Sequence, residues 1–149
     1  MKPIAMIAAV ALALGLAASG AVAEGYGKQK VVYHINYTGG EDQRSYLGAM
    51  RNIQNHINAV GAENLDVRIV LHGDGLNLLM AANDDIDIAS RVDALKAQSV
   101  GFTVCNNTVQ GRGIDLVNDL HDVWDEDIVA SGVAELSHLQ QQGYTYIKP

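Results

Sequence analysis

The most reactive side chain in the sequence is Cys105, its only cysteine, in the stretch GFTVCNNTVQGRGID from Gly101 to Asp115. An apolar run ends on it, and two asparagines and a threonine follow. A thiolate is a nucleophile and a metal ligand, whereas a buried neutral thiol is a small hydrophobe. A helix starting at Asn106 to Thr108 places the sulfur beside free backbone N–H groups and the positive end of a helix dipole. Both favour the thiolate. His34 or His72 supplies a proton acceptor or a positive charge. Arg112 supplies a fixed positive charge if the Gly111–Gly113 stretch folds back.

Those residues must be carried to one place by the elements around them. KVVYHIN, residues 30–36, is rich in β-branched and aromatic residues and reads as a strand buried on both faces. A helix follows to about Val60, capped by Asp42 or Ser45, with Leu47, Met50, Ile53, Ile57 and Val60 on one face. A second strand runs from Leu65 to about Leu71, then a glycine-punctuated loop and a short helix in LNLLMAAN. Asp84 or Asp85 caps a further helix with Ile86, Ala89, Val92 and Leu95 inward. VGFTVC is the third strand, and NTVQGRGIDLVNDL starts as a helix that its glycines break into short pieces. DIVAS is the fourth strand. Residues 132–142 form a helix with Val133, Leu136 and Leu139 inward, and YTYIK is the last strand.

This β-α alternation predicts an α/β fold: three layers, α/β/α, around a mainly parallel five-stranded sheet. Ligands in such sheets bind beyond the carboxyl ends of the strands. The strands deliver to that edge His34, Asn36 and Tyr37; His72, Gly73 and Asp74; Cys105, Asn106 and Asn107; and Ser131.

The chain ends bound the setting. MKPIAMIAAVALALGLAASGAVA, residues 1–23, has one positive charge at Lys2, an apolar run and a small-residue Ala21-Val22-Ala23 site. This is the layout of a secretory signal peptide. Its apolar run is too short and too rich in Ala and Gly for a convincing span, so no membrane span is expected after cleavage. The expected product is periplasmic or secreted, with residues 24–29 a flexible lead-in and 30–149 one domain. The net charge is −7, one unit more negative without Lys2, and no Lys/Arg cluster is present. Nucleic acid is therefore not an expected partner. In an oxidising compartment a lone cysteine is buried and inert, joined to a partner, or chemically used.

Plainer readings stand beside the chemical one. Cys105 can be a buried spacer and His34 a hydrogen-bonded core histidine. His56 and His138 read as surface residues, and His121 lies in an acidic stretch anchored by Trp124. Zinc motifs of short fixed spacing are absent, so no metal and no cofactor is expected. A copper or zinc site built from Cys105, His34 and His72 is the alternative in which the protein binds without turnover. A third alternative is a structural subunit of an oligomeric complex.

The residues also resemble a known family, the DsrE/DsrF-like sulfur-relay proteins, in its exported stand-alone branch. The similarity runs from KVVYHIN to YIKP. Its most specific part is a strand ending in Cys105, then NNTVQG, then Arg112-Gly113-Ile114; the late segment SGVAEL…LQQQGYTYIKP fits as well. The resemblance implies a three-layer domain that assembles with itself into trimers or hexamers. It also implies a persulfide at Cys105, received from a sulfur donor protein and passed to an acceptor. On this reading Asn106, Asn107 and Thr108 stabilise the sulfur anion, and His34 or His72 assists protonation. The relay proteins act in cytoplasmic complexes, which sets this exported chain apart.

Overall fold

The computed structural model of the protein describes residues 25–149. The expected signal peptide lies outside the described residues. Five parallel strands alternate with helices: β1 (Gln29–Ile35), α1 (Arg44–Val60), β2 (Leu65–Leu71), α2 (Asn77–Ala81), α3 (Ile86–Lys96), β3 (Gly101–Cys105), α4 (Asn106–Arg112), α5 (Leu116–Asp119), β4 (Ile128–Val129), α6 (Gly132–Gln141) and β5 (Thr145–Ile147). The strand order is β4-β3-β2-β1-β5. β1 and β2 pair over their full lengths, from Gln29↔Leu65 to Ile35↔Leu71. β4 adds only Ile128 and Val129, opposite Val104 and Cys105.

That order explains the layering. From β1 to β4 the chain steps one way across the sheet, so right-handed crossovers set α1 to α5 on one face. The return from β4 to β5 runs the opposite way and carries α6 to the other face. Two cores result. Val31, Tyr33, Ile35, Ile69, Leu71, Phe102 and Val104 pack with α1, α2 and α3. Val32 and Val70 meet Leu136, Leu139 and Tyr144 on the α6 side.

The helix starts show where local chemistry acts. Asp85, not Asp84, caps α3 by accepting from the Asp87 and Ile88 amides. Neither Asp42 nor Ser45 caps α1; Gln43, in a left-handed conformation, precedes it without a side-chain bond. The buried stripe of α1 is Tyr46, Ala49, Met50, Ile53 and Ile57, while Leu47 and Val60 lie at its edge. The glycine-rich stretch after β3 does break, at Gly113, and Asp115 then caps α5. Ile86 and Val133 were expected to face inward and are exposed at 79% and 65%. Both stand in the first turn of their helices.

Candidate functional site

Cys105 ends β3 and is the residue before α4; Gly132 opens α6. The connection leaving β3 goes to one face of the sheet and the connection leaving β4 goes to the other. Cys105 therefore sits at the point where the two diverge, the position that forms a crevice in open α/β sheets. Two helix starts converge on the sulfur. Burial alone would raise the thiol pKa, and it is the largest single influence. The amides of Gly132, Thr108 and Asn107 and the Thr108 hydroxyl together outweigh it, and the pKa is lowered. The side chain is nearly enclosed, at 5% exposure.

Thr108 does two jobs. The Gly73 amide donates to its Oγ1 at 2.9 Å, which leaves the hydroxyl proton free to be given to the sulfur. Gly132 sits in tight space. A Cβ there would lie 3.0 Å from the Cβ of His72 and 3.2 Å from the Cβ of Cys105. It would lie 3.3 Å from the imidazole Cδ2 of His72, so that carbon is at most about 6.5 Å from the Cys105 Cβ.

The two predicted histidines come together. His34 is buried at the end of β1, and its Nε2 lies 2.7 Å from Nε2 of His72. Gly75 permits this, because a Cβ at that position would meet the Ile35 carbonyl oxygen at 2.0 Å. The loop after β2 thus lies directly against the end of β1. Nδ1 of His34 is 2.7 Å from the hydroxyl of Tyr146. Burial, His72 and Lys148 hold the His34 pKa down at about 4. Burial and Lys148 lower that of His72.

Other predicted residues fall elsewhere. The guanidinium of Arg112 donates to the Gly73 carbonyl at 3.0 Å and to Asn77 Oδ1 at 2.7 Å, with Met80 Sδ at 3.7 Å. It holds the loop after β2 and makes no hydrogen bond to the sulfur. Asn36 stands at the edge with no side-chain hydrogen bond among the described residues. Asn106 meets only Gln110. Asn107 contributes its backbone, and its amide also donates to the Ala130 carbonyl. Ser131 caps α6. His56, expected at the surface, is half-buried and binds the Tyr33 hydroxyl at 2.7 Å. Sequence reasoning missed Gly132 and Tyr146. The small residue opening the last helix was the available signal for the first; nothing local marks the second. Among the described residues no group of three or more His, Cys, Asp or Glu side chains is arranged to hold a metal ion.

The comparisons agree with this architecture. The model of the DsrE/DsrF-like family matches residues 29–149, and the chain belongs to that family. A protein of unknown function, MTH1491 from Methanobacterium thermoautotrophicum, is similar at 30% identity, with a TM-score of 0.68 over 82% of this chain and 100% of its own. The ychN protein from E. coli shares the fold at 21% identity, with a TM-score of 0.60 over 80% of this chain and 97% of its own. No curated protein matches. The family is in general associated with sulfur relay.

Proposed function

We propose that the protein is an exported sulfur carrier that holds sulfane sulfur on Cys105 as a persulfide. The observation that carries this reading is the place of Cys105 at the divergence of β3 and β4, nearly enclosed between the starts of α4 and α6, where the amides of Asn107, Thr108 and Gly132 and the Thr108 hydroxyl favour the thiolate. In the loading step the Cys105 thiolate attacks the outer sulfur of a donor persulfide, R–S–SH. The new Sγ–S bond forms, the donor S–S bond breaks, and the donor leaves as R–S⁻ with the proton kept on the transferred sulfur. Delivery is the same exchange with an acceptor thiolate as the attacking group. The cradle stabilises anionic sulfur before and after transfer.

Export through residues 1–23, and self-assembly into a trimer or hexamer, belong to the same proposal. Intact mass of the periplasmic protein tests the first and light scattering the second. The persulfide is tested by incubating the protein with a polysulfide donor. Mass spectrometry is expected to find added sulfur that is absent in Cys105→Ser and removed by a reducing thiol. No adduct on the wild-type chain refutes the proposal.

A further inference from the structure

The acidic stretch between α5 and β4 carries Trp124, the only tryptophan of the chain, and the sequence predicts that it anchors that loop. The structure reverses the roles. Trp124 is 63% exposed. The loop is anchored instead by Lys96 of α3, which donates to the Asp122 carbonyl and, at 2.9 Å, to Asp122 Oδ2. His121 adds a second tie, its Nε2 lying 2.7 Å from Asp93 Oδ1. The indole is then held from within the loop. Its Nε1–H donates to Asp122 Oδ1, and its backbone N–H donates to Asp127 Oδ2, each at 3.0 Å. A tryptophan with its polar atom satisfied and its ring left outside offers a fixed apolar face.

That face does not stand alone. Trp124 shares a groove of about 450 Å³ with Leu116, Val117, Leu120 and Val123. Val117 is 87% exposed. Single exposed apolar side chains are ordinary, but several lining one groove mark an interaction surface. The remaining lining residues are Asp122, Asp125 and Glu126. Lys96 balances Asp122, whereas among the described residues no Lys, Arg or His pairs with Asp125 or Glu126. From residue 113 to residue 130 the chain has six acidic residues and no Lys or Arg.

We propose that this groove docks a basic, apolar segment of a partner protein. Apolar side chains of that segment pack on Trp124 and Val117, and flanking Lys or Arg side chains pair with Asp125 and Glu126. Charge selects the occupant. An anionic membrane or a nucleic acid is repelled by the rim. A second copy of this chain is itself negative, at −7, and has no Lys/Arg cluster to offer. The indole is held before the partner arrives, which lowers the ordering cost of association. Tryptophan is among the side chains that contribute most at interfaces, and the unpaired rim charges steer a basic partner and fix its orientation. The groove adjoins the β4 edge of the sheet, one strand from the sulfur: β4 begins two residues after Glu126, and its Val129 lies opposite Cys105. The proposal goes beyond the persulfide reading and does not depend on it.

The test uses the full chain with Trp124 fluorescence as the readout, since no other tryptophan contributes. The probes are a short amphipathic peptide of leucine and lysine and its counterpart with glutamate in place of lysine. The lysine peptide is expected to shift the Trp124 emission saturably, and more weakly at high salt. The glutamate peptide is expected to leave it unmoved. Asp125→Asn combined with Glu126→Gln is expected to weaken binding about tenfold, the loss of two screened ion pairs. Val117→Ser, at an exposed position where folding is not at stake, is expected to weaken it by a similar factor with the acidic rim intact. That variant separates docking in the groove from diffuse attraction to an acidic protein. Equal shifts with the two peptides, no shift with either, or wild-type affinity in either variant overturns the proposal. A Trp124 emission that changes when the chain alone is diluted, together with a lower light-scattering mass in Val117→Ser, gives the groove to a second copy and overturns the partner assignment.

Discussion

At the scale of single residues the sulfur is set by competing influences of similar size. Enclosure pushes the thiol toward the neutral form, and four hydrogen-bond donors pull it back past its ordinary value. Thr108→Val keeps the volume and removes both the donor to the sulfur and the acceptor of the Gly73 amide. The alkylation midpoint of Cys105 is expected to rise, and stability to fall by about 1–3 kcal/mol for the stranded amide. Thr108→Ser is expected to restore both; a wild-type midpoint in the valine variant would remove the hydroxyl from the cradle. His34 gives a second prediction. Its folded pKa of about 4 lies below the ordinary 6.5. Between those values the unfolded chain binds a proton that the folded chain refuses, so stability rises with pH across that window. As pH falls from 6.5 to 4 the wild-type chain is expected to lose on the order of 1–2 kcal/mol, discounted for screening at the site rim. Urea unfolding at several pH values checks this, and His34→Gln is expected to flatten the slope.

At the scale of elements the site is a junction of three loops held by short ties. The loop after β2 is pinned at Gly73 from both sides, by Thr108 and by Arg112, and to β1 through Gly75. Arg112 therefore acts as a strut. Arg112→Ala is expected to loosen the loop, seen as faster exchange of the Gly73 amide, at a cost of no more than about 1 kcal/mol. The Cys105 midpoint is expected to stay put; a large rise would return Arg112 to the role of a charge acting on the sulfur. How far the sequence displays this junction depends on range. The strands, the Asp85 cap and the break after Arg112 are written in neighbouring residues. His34 and His72 were both visible at strand ends, but their contact depends on β1 and β2 being adjacent and in register. Tyr146 reaches His34 from 112 positions away because β5 returns to the far side of β1. No local pattern encodes that return. Gly132 looks like any helix-opening glycine until the sheet puts His72 and Cys105 on either side of it.

At the scale of the whole molecule, the described sheet, helices and both cores are built from residue 29 onward, which is also where the family match begins. The segment expected to be a signal peptide, residues 1–23, lies outside the described residues. A chain beginning at Glu24 is expected to fold cooperatively, because it keeps every described strand pairing and both described apolar clusters. Among the described residues, Gly25 to Lys28 precede the sheet and carry no ladder bonds. The comparison to make is between this shortened chain and the full chain, by thermal unfolding at the same pH and salt. Midpoints within a few degrees are expected, because stability differences below about 0.5 kcal/mol shift a domain of this size by only a degree or two. The same pair also tests the site. Cys105, His72 and Gly132 depend on β2, β3 and α6, so the alkylation midpoint of Cys105 is expected to match in the two chains. A shortened chain that unfolds many degrees earlier would mean that residues 1–23 pack on the domain, and would count against their removal in the mature protein.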